Sequence, residues 1–155
     1  MTIDIDPTAS TTEAYDVKAH RMVAVVSSQL DDITVTNTVG HMLVALGAVL
    51  GSDLLGRRNL DATGTEHAAV ARYPFVLKTA RPSKIRAAIV KAKELGVVVV
   101  DYPEEAFLTT HDDDYMASLA ARKEADLVYI GAAFFGATGA IDEVCGRFML
   151  WSPRA

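Results

Sequence analysis

The run Val97-Val98-Val99-Val100, closed by Asp101, constrains this chain more than any other feature. Four β-branched residues in succession are stiff at χ1 and favour extended backbone. Without polar alternation they read as a strand buried on both faces, the kind found in sheets covered by helices. In open α/β sheets, ligands bind beyond the carboxyl ends of such strands. Asp101 is therefore placed either to meet a ligand, as a base or hydrogen-bond acceptor, or to begin a turn with Pro103.

The neighbouring segments support the same architecture. Residues 22–26 form an apolar run ending at Ser27, Ser28 and Gln29, so these three are expected at the ligand-facing edge of another buried strand. Thr36 or Asn37 is expected to cap a helix running to about Leu50. The apolar residues Val39, Met42, Leu43, Leu46, Val49 and Leu50 cover most of its circumference, which predicts a largely buried helix. Residues 51–70 read as irregular, with turn chemistry at Asp61-Ala62-Thr63-Gly64.

Residues 73–77 read as a strand, and Pro74 points to an edge or a strand start. The cleanest helix follows. Ile85, Ala88, Ile89, Ala92 and Leu95 share one face, with Pro82 or Ser83 at the start and Gly96 past the end. After the valine strand come a helix over about 112–122, a strand over 127–134, a Gly136–Gly139 turn into a short helix, and a last strand over 147–151. This alternation predicts a single-domain, three-layer α/β/α fold with a mixed, mostly parallel sheet.

At 155 residues the chain is long enough for one well-buried core. Residues 1–18 read as a loosely ordered acidic tail and 19–155 as the domain. The net charge is −5, and Asp4, Asp6, Glu13 and Asp16 supply four of those charges within residues 1–17, so the body is close to neutral. Such a body lacks the basic excess that counterion release rewards, which argues against a nucleic-acid partner. No export signal is visible, and the longest nearly apolar stretch is too short to span a bilayer, so no membrane partner and a cytoplasmic location are expected. The single Cys145 excludes an internal disulfide framework and a multi-cysteine zinc site, and reads as a small core residue.

Several tempting motifs have ordinary explanations. His111-Asp112-Asp113-Asp114 places consecutive carboxylates in different directions on a helix, so they cannot share one ion. Acidic residues also favour a helix start. The Gly136–Gly139 turn could cradle phosphate, but Asp142 and Glu143, expected in the next first turn, would repel it. His41 reads as a core histidine, whereas His67 is expected to be exposed and available. Lys84, Arg86, Lys91 and Lys93 read as a solvated basic face. No metal or cofactor is indicated.

The spaced pattern of residues 22–26, Leu30, Asn37 and Gly47 resembles the opening of the bacterial domain-of-unknown-function family DUF2000. Asp61-Ala62-Thr63-Gly64 with His67, Val99-Val100-Asp101, Asp114-Tyr115, and Ala125-Asp126-Leu127 with Tyr129 and Gly131 continue the likeness, which covers roughly residues 20–151. That family is similar in fold to type II peptidyl-tRNA hydrolase. Carried over by position, the hydrolase's second lysine falls at Thr36, its aspartate at Asp101 and its threonine at Glu105, so only the aspartate is kept. Ester cleavage on a polyanion calls for a cation near the developing oxyanion, and Thr36 supplies none.

Two functions follow. One is a module that binds a small molecule or a protein, without peptidyl-tRNA hydrolysis. The other is a hydrolase or transferase on a small ester or amide, with Asp101 activating water, Thr36 and Asn37 donating, and His67 assisting. Ser27, Ser28, Gln29, His67 and Glu105 are the expected ligand-binding residues. The high apolar fraction is compatible with a homo-oligomer.

Overall fold

A computed structural model describes residues 15–153. Most of the expected acidic tail lies outside those residues; of its last part, Tyr15 packs edge-on against Tyr73 with ring centroids 6.0 Å apart.

A five-stranded sheet forms the middle layer. Its strands are β1 (His20–Ser27), β4 (Phe75–Ala80), β5 (Val98–Pro103), β6 (Tyr129–Ala137) and β7 (Met149–Leu150), in the order β5-β6-β1-β4-β7. A separate two-stranded hairpin joins β2 (Asn59–Leu60) to β3 (Glu66–His67) within the segment expected to be irregular. The sheet is mixed, but among the described residues only β1 with β4 is parallel; the other three pairings are antiparallel. The expectation of a mostly parallel sheet fails because β6 inserts, reversed, between β1 and β5.

The helices are α1 (Asp32–Leu50), α2 (Pro82–Glu94), α3 (Glu104–Leu108), α4 (Asp112–Ala120) and α5 (Thr138–Cys145). From β1 the chain passes through α1 to β4 on one side, then reverses through α2 to β5 beyond the other side of β1. Right-handed crossovers that run in opposite directions put their helices on opposite faces. The side chains follow. Met22, Ala24 and Val26 meet Val35, Met42 and Leu46 of α1, whereas Val23 and Val25 meet Ile85, Ala88, Ile89 and Ala92 of α2. The α5 residues Ile141, Val144 and Cys145 join α2, completing three layers.

Helix α1 departs from expectation twice. Its cap is Asp31, whose carboxylate accepts from the Thr34 N–H at 2.9 Å and the Thr34 hydroxyl at 2.7 Å, so the helix starts before Thr36. It is also not largely buried. Only Val35, Thr38, Met42 and Leu46 form its buried stripe, because a helix lying on one sheet face can cover one side only; Val44 and Val49 face outward. His41 is on that outer side, 6.1 Å from the Tyr102 ring, and is not a core histidine. With the following 3-10 turn, α1 is long and apolar enough to cross a membrane by composition alone. Here Met42 and Leu46 dock it on the sheet.

Two close contacts set the layers. Gly131 of β6 lets α1 approach: a Cβ there would lie 2.9 Å from both Met42 Sδ and Thr38 Cγ2. On the opposite face, Arg86 of α2 donates to the carbonyls of Glu124, Ala125 and Leu127 and lies over the Tyr129 ring.

Candidate functional site

Ser27 and Ala80 are register partners at the ends of β1 and β4. Beyond them the chain turns to α1 on one face and to α2 on the other. Adjacent parallel strands whose continuations part in this way leave a crevice at their carboxyl ends, the place where α/β folds take ligands. Hydrogen bonds hold its rims: Ser28 N–H donates to Ala80 O at 2.9 Å, and Gln29 N–H to Ser27 Oγ at 3.2 Å.

The short strand β7 closes the outer side, pairing Thr79 with Met149 and Lys78 with Leu150. Two cavities result, and Thr79 and Met149 line both. One, of about 160 Å³, is bordered by Ser27, Ser28, Leu30, Trp151 and Ser152. The other, of about 430 Å³, opens on the α2 side beside Arg81, Ser83, Lys84, Arg147 and Phe148. A third concavity, of about 550 Å³, runs along α5 and shares Arg147 and Phe148 with the second. Ser27 is buried, so its hydroxyl belongs to the crevice floor; Trp151 is partly buried, and its backbone N–H donates to Leu77 O at 3.1 Å.

Asp101 stands elsewhere. Val98, Val100 and Tyr102 of β5 face α1, while Val99 faces α2, and the alternation carries Asp101 with Val99. Lys93 Nζ of α2 lies 3.8 Å from its Oδ2. Thr36 and Asn37 are exposed on α1, on the other side of the sheet, where with Gly40, His41 and Val44 they line an open, shallow surface. The Thr36 hydroxyl is engaged by Asp32 O at 2.9 Å. The structure does not bring Asp101 together with Thr36 or Asn37.

Asp101 and Glu105 do share surroundings. Burial, reinforced by their two carboxylates, holds the Tyr115 phenol above its ordinary range. Burial, with Asp101 and Glu124, pushes Tyr129 up to about 12. Both phenols stay neutral at physiological pH and can only donate or accept hydrogen bonds. Glu105, 2% exposed, has Arg122 Nε at 3.1 Å from Oε1. The contact is an ion pair without a well-aimed hydrogen bond to either oxygen. Among the described residues, no three His, Cys, Asp or Glu side chains are grouped to hold a metal ion.

His67 lies in the hairpin, exposed, with Nε2 3.4 Å from Asp61 Oδ2. Gln29 contributes its backbone to the crevice rim, and its side chain is exposed. Gly136 belongs to β6 rather than to a turn, and Asp142 and Glu143 lie beyond the first turn of α5. The Cys145 thiol is buried, donates to Ile141 O at 3.4 Å, and is pushed up to about 11 by burial, so it is an unreactive core group.

Of the expected site residues, Ser27 and Ser28 line the crevice. Thr79, Arg81, Lys84, Arg147 and Trp151 were not expected there. The available signal was local: Pro82-Ser83 closely follows a strand, so the residues around it end a strand and start a helix.

Comparison with known proteins bears on family and fold. Among curated proteins none matches the chain. A solved structure of a protein of unknown function from Agrobacterium tumefaciens strain C58 is similar, with a TM-score of 0.76 and 16% identity over 86% of this chain and 98% of that one. At that identity the likeness shows the fold alone. The model of the family described as "Protein of unknown function (DUF2000)" matches residues 20–152. The chain therefore belongs to the DUF2000 family.

Proposed function

We propose that this chain is a binding module for a small molecule, with the crevice between the ends of β1 and β4 as its site. One observation carries the reading: Ser27 and Ala80 are paired in parallel, and α1 and α2 leave them toward opposite faces. The crevice combines apolar walls from Met149, Phe148 and Trp151 with the hydroxyls of Ser27, Thr79 and Ser83. Ligand sites commonly have that mixture.

The likeness in fold to type II peptidyl-tRNA hydrolase belongs to the same reading, without its chemistry. Thr36 takes the place of the hydrolase lysine, and its hydroxyl is bound to a backbone carbonyl of its own helix. A hydrolase or transferase built on Asp101 would need donors from the α1 start beside that carboxylate, and the sheet lies between them. A cytoplasmic location and a metabolite-sized partner accompany the proposal.

The test is a fragment-library titration read by amide NMR, with emission of Trp151, the single tryptophan, as a second readout. Binding fragments are expected to move the Ser27, Ser28, Thr79 and Ser152 amides and to change Trp151 emission. Hits that move only residues around Thr36 to Val44, or around Asp101, would overturn the proposal.

A further inference from the structure

We infer that the crevice takes an oxyanion-bearing small molecule, its phosphate or carboxylate held on the α2 side by Arg81, Lys84 and Arg147. This rests on the crevice being the binding site and adds the ligand's charge class. Arg81 and Lys84 sit together at the junction of β4 and α2, and Arg147 comes from far along the chain, in the segment after α5. They nevertheless border one cavity of about 430 Å³, whose lining contains no Asp or Glu.

Among the described residues, none of the three has an ion pair, a condition shared with the dispersed Lys18, Arg57, Arg72, Lys78 and Lys123; what sets the three apart is that they border one cavity. The nearest acids along α5, Asp142 and Glu143, are engaged by Arg21 at 2.8 Å and by Lys91 at 4.0 Å. Like charges gathered without counter-charges repel one another, and an anion relieves that repulsion.

The backbone agrees with this reading without carrying it. The α2 start has no side-chain cap and no acidic residue in its first turn. Pro82 has no N–H, and the Lys84 and Ile85 N–H groups both go to Arg81 O, so Ser83 supplies the free amide beside the cations. Phe148 and Met149 add an apolar wall. The ligand that fits has an anionic head and an apolar body.

The test uses the full chain, isotope-labelled, titrated with phenyl phosphate, benzoate, inorganic phosphate and the uncharged benzyl alcohol. Phenyl phosphate or benzoate is expected to move the Ser83, Lys84, Phe148 and Met149 amides saturably. Benzyl alcohol should bind at least about tenfold more weakly, as the loss of a charge-assisted contact implies. The tighter of the two aryl anions then identifies the head group. Lys84→Ala and Arg147→Ala, both at exposed sites, should each weaken the anion about tenfold with amide spectra otherwise unchanged. If benzyl alcohol moves those amides as strongly as either anion, the charge class is overturned and the crevice reading stands. If no probe moves them, both fall.

Discussion

Ser27 and Ala80 are partners at the end of the only parallel ladder among the described strands, and the helices that follow them cover opposite faces. That relationship makes the crevice. It also makes Asp101, two strands away beyond β6, a bystander to it.

Asp101→Asn should therefore leave crevice binding unchanged. Lys93 and Asp101 are both substantially exposed and 3.8 Å apart. Solvent screens such a pair, so the stability change should stay within about 0.5 kcal/mol. Urea unfolding and a fragment titration on the same variant check both statements. A large loss of binding with the fold intact would return Asp101 to the site.

Gly131→Ala should destabilise the fold by about 1–3 kcal/mol, the usual cost of overpacking. The added methyl would meet Met42 and Thr38, both fully buried beneath α1. Thr38 has a second consequence. Its hydroxyl is buried without a hydrogen-bond partner, so Thr38→Val should be neutral or stabilise by about 1 kcal/mol. Chemical denaturation of the two variants tests the opposite signs.

Much of this architecture was legible in sequence. Val97 to Val100 declared a strand, and Ile85, Ala88, Ile89 and Ala92 declared the face of α2 that meets it; the expected burial on both faces fails, because β5 lies at the sheet edge and Val98, Val99 and Val100 are only partly buried. Ser27 and Ser28 were legible as polar residues ending a strand. Other features had no local signature. The insertion of β6 between β1 and β5 is a long-range pairing, set by how the sheet closes and not by any residue in β6. Asp31 carries only a weak cap signal in sequence, because the β-branched Ile33 and Val35 blur the helical pattern in the first turn. Nothing local separates Lys84 from a solvated basic face, because its companion Arg147 lies far along the chain and reaches it only through β7. The face assignment of Asp101 depends on strand parity, and a one-residue change of register would have reversed it.

Arg86→Ala should cost about 2–3 kcal/mol, and Arg86→Lys should recover only part of it. The guanidinium serves three carbonyls, with 2.8 Å to Glu124 O and 3.2 Å to Ala125 O, and also covers Tyr129. A single ammonium cannot reproduce that fork. Thermal or urea unfolding of both variants gives the comparison. Full recovery by lysine would show that charge alone matters.

The hairpin turn should loosen in acid. Asp61 accepts from the Thr63 hydroxyl at 2.7 Å, the Thr65 N–H at 2.9 Å and the Thr63 N–H at 2.8 Å, which holds its carboxyl down at about 2 against an ordinary 3.8. A folded pKa below the unfolded one means the stabilisation is fully present above the ordinary value and is lost as pH falls through about 2. Amide exchange at Thr63 and Thr65 should therefore accelerate across that window. Asp61→Ala should abolish the pH dependence.

The most direct measurement is a crystal structure of the chain soaked with its strongest fragment hits. Ligand density is expected over Thr79, between the Ser27-Ser28 rim and the first turn of α2, with Trp151 or Phe148 against its apolar part. Density confined to the exposed face of α1 near Thr36, or against Asp101, with the crevice empty, would contradict the assignment of the site.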